Sequence, residues 1–334
     1  MSLVRLSLNL NKFCEKLGDQ KIPSPAGDQT WMHLVFPSST TVGQISLIFY
    51  THHSVTDGNG AKIIVNTFLA EFGKQLGRTA DVGLAWGEEV EKLTPAKFNI
   101  LGPAEPVPIP PSPNEQPTFA HPVYGTLGAE MQNIGESMQY GFKTREADKG
   151  WPKVGHVELV FSKDESKELL AYMKGQPYTL TVLAHAALAM VVMFSNPASP
   201  EAAKHTMNNF CMVDDHKDMA IAYIAQAVEM FIYGMKQGYA ANHFSANQCY
   251  MLSNDGQGEN IRDLTFRDEK GQATFNLSRF FTSINHPHPA PYFCLSSWQG
   301  VIDIGADFNE NLIVAEEVKV YLVKWKEFMY CIMK

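Results

Sequence analysis

The 334-residue chain is short of several things, and each absence removes a class of function. Its five cysteines, Cys14, Cys211, Cys249, Cys294 and Cys331, stand far apart with no Cys-x-x-Cys pair, which encodes neither a zinc knuckle nor a dense disulfide framework. Reduced thiols in a cytoplasmic protein are the expectation. Basic charge is scarce too: a net charge of −8 leaves no broad cationic face for phosphate backbones, so nucleic acid is not an expected partner. No apolar run approaches the ~18 residues that cross a bilayer, and no basic-then-apolar leader opens the chain, so no membrane role is expected. There is no Gly-x-Ser-x-Gly elbow and no phosphate-binding loop, and Gly58-Asn59-Gly60 lacks the third glycine of a dinucleotide fingerprint. His286-Pro287-His288-Pro289 has no acid or cysteine nearby to complete a ligand set, so no metal site is expected.

What is present is an ordinary globular balance, with 45% apolar and 19% charged residues. The length suits two lobes. Eight prolines between Pro103 and Pro122 exclude helix and central strand there. That stretch reads as a linker or crossover, with a Pro-rich recognition peptide as the rival reading, and gives an N-terminal lobe over 1–100, a linker over 101–125 and a C-terminal lobe over 126–334. Strand-forming stretches at Trp31 to Phe36 and Ile45 to Tyr50 flank turn chemistry and predict a strand pair, the second strand covered on both faces. Ala61, Ile64, Val65, Phe68, Leu69, Phe72 and Leu76 follow the spacing of a helix with one buried stripe. Further on, His156 to Phe161 alternates as a strand, and Ser162 with Glu165 forms a capping-box pattern opening a helix to Lys174. Tyr178 to Phe194 reads as a core helix in which His185 is a satisfied histidine, and Ile221 to Tyr239 as another helix. Phe293 to Ile304 and Leu312 to Val323 read as late strand and mixed segments. The mixture implies an α/β or α+β fold with mixed sheets.

Between the strand ending at Tyr50 and the helix beginning near Ala61 lies His52-His53-Ser54-Val55-Thr56-Asp57-Gly58. Adjacent histidines in extended chain point to opposite faces, so one of them faces any given cavity and the pair is no chelate. Asp57 stands where the helix starts and is suited to cap it, and Gly58 and Gly60 allow a tight turn. The run resembles the His-His-x-x-x-Asp-Gly signature of the chloramphenicol-acetyltransferase-like superfamily, which includes acyl-CoA-dependent alcohol acyltransferases and peptide-synthetase condensation domains. Gly87 to Pro95, Thr181 to Val192, Ser296 to Gly300 and Asp307 to Glu310 are similar to stretches of fungal alcohol O-acetyltransferases of the trichothecene type.

The resemblance implies a two-lobed fold with an active-site tunnel between lobes. It makes His53 the general base, His52 its packing neighbour, and Asp57 and Gly58 the architecture of the loop. The reaction implied moves an acyl group, acetyl by preference, from acyl-CoA as co-substrate to a hydroxyl of a small secondary metabolite in a largely apolar pocket, with no bound cofactor. Ser296, Ser297 and Trp298 are candidates for the pocket, a serine hydroxyl being able to donate to a developing oxyanion. Two rival readings keep the pocket: a CoA-independent cyclase, dehydratase or isomerase, and a non-catalytic relative that binds a small molecule or partner. The chain departs from the family pattern in three ways. Only fifty-one residues precede His52, where relatives carry more strands, so a homodimer covering a sheet edge is an expectation. No arginine occurs between Arg145 and Arg262, which leaves Arg279 as a distant partner for Asp57. The Asp-Phe-Gly-Trp-Gly motif of plant-type acyltransferases is missing, which disfavours that subfamily.

Overall fold

The computed structural model describes residues 2–6, 30–37, 45–51, 58–76, 141–145, 153–197, 210–211, 250–258, 264–285 and 290–331, with isolated positions at 17, 56, 200 and 333. Two mixed sheets dominate. The smaller has the order β1-β2-β3, with β1 (Ser2–Leu6) parallel to β2 (Thr30–Pro37) and β2 antiparallel to β3 (Ser46–Thr51). The strand pair expected from turn chemistry is therefore present. The residues of β3 are all half-buried instead of sealed on both faces.

Helix α1 (Gly58–Gln75) follows. Its buried stripe is Lys62, Val65, Leu69 and Gly73, while Ile64 and Leu76 of the expected stripe are exposed. The stripe is rotated because its first position is a lysine, which apolar periodicity does not count. Val65 and Leu69 pack with Phe266 in a small cluster that also gathers Leu47, Phe49 and Phe275. Phe266 and Phe275 belong to a hairpin of β7 (Thr265–Arg267) and β8 (Ala273–Asn276), so late residues complete the packing around α1. At Gly73 a Cβ would lie 3.2 Å from Phe266 Cβ, so glycine lets the hairpin close on the helix.

The larger sheet runs β4-β10-β9-β6-β5, with β4 (Val154–Val160), β5 (Phe210–Cys211), β6 (Met251–Gln257), β9 (Tyr292–Trp298) and β10 (Val301–Asn309). β9 and β10 are antiparallel and join through Gln299 and Gly300, both at positive φ (51° and 73°). That is the backbone of a two-residue hairpin turn whose twist matches the strands. The segment expected as one late strand from Phe293 to Ile304 is thus two strands and their turn.

Three helices cover one face of this sheet: α2 (Lys163–Met173), α3 (Leu180–Ser195) and α4 (Ala315–Cys331). α2 starts as expected, with Ser162 Oγ accepting from Glu165 N–H at 3.1 Å and the Glu165 carboxylate accepting from Ser162 N–H at 2.7 Å. Lys326 of α4, with these bonds, holds the Glu165 carboxyl down to about 2. α4 replaces the expected mixed segment after Leu312. Val318, Tyr321, Leu322, Trp325 and Met329 recur at helical spacing and are all buried, and the strand-like look of Leu312 and Ile313 belongs to the turn before the helix. Trp325 sits at the centre of the core, edge-on to Phe293 at 5.4 Å, with its indole N–H donating to Ala184 O at 3.0 Å. The stretch Ile221 to Tyr239 lies outside the described residues.

β4 and β10 approach closely at Gly155, opposite Phe308. A Cβ there would stand 2.4 Å from Phe308 Cζ, inside a packed aromatic that is 1% exposed. Gly155→Ala should therefore cost about 1–3 kcal/mol as overpacking, read as a lower urea midpoint at unchanged slope.

Candidate functional site

Strand alternation gives the five-stranded sheet two chemically different faces. Ile302, Ile304, Ala306 and Phe308 of β10 point into the helical core and are buried. Asp303, Gly305 and Asp307 point the other way, together with His156 and Glu158 of β4 and Cys294 and Ser296 of β9. This second face is partly covered. The segment from Arg279 to Ile284 crosses it, and the start of α1 reaches it through Lys62.

Asp307 is fully buried and collects three donors. Ser283 Oγ donates to Oδ1 at 2.7 Å, Ile284 N–H donates to Oδ2 at 3.0 Å, and His156 Nδ1 lies 2.7 Å from Oδ1. A carboxylate oxygen can only accept here, so Nδ1 carries the shared hydrogen and Nε2 faces away. Nε2 is buried and has no hydrogen-bond partner among the described residues. Phe281 stacks on the imidazole at 5.9 Å and fixes its plane. Burial pulls the His156 pKa down, but the Asp307 hydrogen bond and charge, with Glu158 and Asp303 nearby, outweigh it and raise the value overall.

Lys62 and Asp255 form a buried ion pair at 3.2 Å, their side chains 2% and 18% exposed. Asp255 stands in a bulge of β6: Asn254 pairs with Leu295 and Gly256 with Ser296, which leaves Asp255 as the extra residue. Gly256 takes φ of 67° there, which a glycine adopts without strain. The bulge turns the carboxylate into the cleft, where Thr282 Oγ1 donates to it at 2.9 Å. Arg279 pairs with Glu158 and lies over the Phe281 ring at 5.4 Å.

Between these groups lies a narrow cleft with about 30 Å³ of space, open to solvent at its mouth. Ser296, Ser297 and Trp298 are among the residues that line it, and the Trp298 indole donates to Ser278 O at 3.0 Å. His52, His53 and Asp57 lie outside the described residues; Gly58 is exposed at the start of α1. The strand before the motif and the helix after it both exist. The cleft departs from the apolar pocket expected, since carboxylates and hydroxyls outnumber Phe280, Phe281 and Trp298 along its walls. Sequence reasoning missed His156, Glu158, Asp255, Asp303 and Asp307. The signal was there in β10, where acids alternate with Ile302, Ile304 and Phe308 in a strand too apolar to lie at the surface.

His185 also corrects an expectation. Its ring nitrogens are buried without partners among the described residues, and burial lowers its pKa. The imidazole lies 5.9 Å from the Tyr250 ring, and the Tyr250 hydroxyl bonds to the His185 carbonyl instead. It behaves as an apolar filler. The tract His286 to Pro289 lies outside the described residues. Among those described, no cluster fits a metal ion and no helix is long and apolar enough to cross a membrane.

Two thiol and carboxyl groups on the cleft wall are shifted by their surroundings. Burial, with nearby carboxylates, pushes the Cys294 thiol well up, so it is not a thiolate nucleophile at neutral pH. Burial and the charge of Glu158 raise Asp303 to about 6, with Arg279 and His156 opposing. A raised carboxyl pKa means that the folded state holds its proton longer than the unfolded chain, so this residue's contribution to stability falls as pH rises through that window. Asp303→Asn removes the effect. The variant's melting temperature relative to the parent should therefore climb between about pH 4 and pH 7. A constant difference across that range would show that Asp303 is not desolvated as described.

No family model and no curated protein sequence matches the chain. Solved structures do. The trichothecene 15-O-acetyltransferase of Fusarium sporotrichioides superposes with a TM-score of 0.66 at 16% identity, over 91% of this chain and 70% of that one. The X-domain from teicoplanin biosynthesis gives 0.52 at 11% identity, over 98% and 77%. The epimerization domain from the third module of tyrocidine synthetase B gives 0.51 at 12%, over 98% and 78%. Two mixed sheets, helices on one face of the larger and a polar cleft on the other together make this a chain with the fold of the chloramphenicol-acetyltransferase-like and condensation-domain proteins.

Proposed function

We propose that the protein is an acyltransferase that moves an acyl group, acetyl by preference, from acyl-CoA to a hydroxyl of a small secondary metabolite. The observation that carries the reading is the buried Lys62–Asp255 pair. It ties the first turn of α1, five positions beyond Asp57, to the cleft that Ser296, Ser297 and Trp298 line. This supports a reading in which a base from the segment before α1 serves that cleft. The fold shared with a trichothecene 15-O-acetyltransferase supports the same reading.

In this reaction His53 accepts the proton of the acceptor hydroxyl as its oxygen attacks the thioester carbonyl carbon. The carbonyl electrons move onto oxygen, where a serine hydroxyl of Ser296 or Ser297 donates to the oxyanion. Collapse breaks the carbon–sulfur bond, and the His53 imidazolium returns its proton to the leaving thiolate. Asp57 holds the loop and transfers no proton. One base suffices, because the thioester is already activated.

A second reading, acid–base chemistry without CoA, draws support from the His156–Asp307 pair, which presents another imidazole to the same cleft. CoA dependence separates the two. Purified protein should bind acetyl-CoA in a calorimetric titration and release free thiol when an alcohol acceptor is supplied. His53→Ala should keep the fold and lose on the order of 10²- to 10⁴-fold in thiol release. Unchanged turnover in that variant would remove His53 from the mechanism, and an absence of acetyl-CoA binding would favour the CoA-independent reading.

A further inference from the structure

We infer that Asp255 is a positioning residue for the reaction: a carboxylate fixed in the bulge of β6 that sets the start of α1 relative to Ser296 of β9. The inference rests on the acyl-transfer reading and names the residue that aligns its two halves, the segment before α1 that supplies the base and the serine hydroxyls that donate to the oxyanion.

The bulge is a braced bracket. Gly256 N–H donates to Asn254 Oδ1 at 2.9 Å, which closes a tight turn around Asp255, and Gly256 at φ 67° supplies the left-handed backbone that this turn requires. The Asn254 side chain also donates through Nδ2 to Thr181 Oγ1 at the start of α3. That helix is seated in the large apolar cluster, so one end of the bracket is tied to the core beneath the sheet. Past the bulge β6 stays in register with β9, Gly256 opposite Ser296 and Gln257 opposite Ser297. Asp255 therefore stands one residue from the partner of Ser296.

Its carboxylate joins three elements. Oδ1 accepts from Ser253 Oγ of its own strand at 3.2 Å. Oδ2 accepts from Thr282 Oγ1 at 2.9 Å and lies 3.2 Å from Lys62 Nζ. Neither α1 nor the 279–284 segment can shift along the sheet without losing a bond to that same oxygen. Lys62 is the fifth residue of α1 and 1% exposed, in line with Val65 and Leu69. A methionine there would continue the apolar stripe with no charge to desolvate, and a buried ion pair seldom adds net stability over such a residue. The pair instead specifies where α1 sits. In this role Asp255 transfers no proton. Its effect falls on the alignment of base and oxyanion donor, to which group transfer is sensitive at the scale of about 1 Å.

The test uses the full chain with Lys62→Met and Asp255→Asn made together, which leaves no lone buried charge. The expected result is a melting temperature close to the parent's. Thiol release from acetyl-CoA, with geraniol and cyclohexanol as acceptors, should show kcat about tenfold or more below the parent at an unchanged KM for acetyl-CoA. A role confined to stability would restore turnover together with the fold, so parental kcat in this variant would overturn the inference. Hydrogen exchange read by mass spectrometry needs no turnover. Amides in the first two turns of α1 and in 279–284 should exchange several-fold faster in the variant, while those of β9, β10 and α4 keep the parent's rates. Unchanged exchange at α1 would also overturn the inference. Asp255→Glu, which keeps the charge and moves it by one methylene, serves if the double variant does not fold and should lower kcat with the same unchanged KM. Failure of the acyl-transfer reading shows in the parent and not in the variants. A parent that releases no thiol with either alcohol counts against that reading, and the exchange rates then decide whether Asp255 sets α1.

Discussion

The constraint on which this structure turns is that β10 is buried on both faces and carries carboxylates on one of them. A buried carboxylate without partners costs far more than any single apolar contact returns, so a fully buried acid on that face must be matched before the sheet can be covered. Asp307 is matched by an imidazole, a hydroxyl and a backbone amide, all drawn from elements distant in sequence. Asp255 is matched by a lysine from α1 and a threonine from the crossing segment. The polar face therefore does what an apolar core does elsewhere. It decides which segments lie together.

Those matches also explain how the two packed clusters relate. The large cluster beneath the sheet is apolar and self-sufficient: α3, α4 and the inward residues of β9 and β10 fill it around Trp325. The small cluster around Val65, Leu69 and Phe266 contains few residues and holds α1 against the β7–β8 hairpin. Lys62 leads from one to the other. Ion pairs of this kind rarely add net stability over an apolar isostere, but breaking one leaves a buried charge, so they specify an arrangement more than they strengthen it. Register between α1 and the cleft is what Lys62 and Asp255 specify.

How much of this could be read from sequence follows from which residues carry a periodic signal. α2 was legible to the residue, because Ser162 and Glu165 form a local capping box that needs no tertiary partner. The β2–β3 pair and α3 were legible from short-range pattern for the same reason. α4 was misread at its start, since Leu312 and Ile313 look strand-like until the spacing from Val318 to Met329 is weighed as a whole. The stripe of α1 was misplaced by a lysine that no hydrophobic scale places inside. The cleft fared worst. Its members come from β4, β6, β9, β10 and the segment after β8, and only the register of the strands puts His156 opposite Asp307. A motif resemblance pointed at Ser296, Ser297 and Trp298, and nothing local pointed at their polar neighbours, because the partner of His156 stands 151 residues away.

A fold shared at 11–16% identity with an acetyltransferase, an epimerization domain and an X-domain constrains backbone far more than chemistry. The chemistry of this chain must then be argued from what its own cleft retains at a cost. Replacing His156, Asp307, Lys62 and Asp255 with apolar residues of similar volume would be neutral or stabilising by the usual accounting of buried charge. Part of their role is to fix register, as Lys62 does. That account covers every polar atom on this face whose partner is present, and it stops at His156 Nε2. Register needs a partner, and this buried nitrogen has none among the described residues. The polar face therefore holds one group that packing and register do not account for.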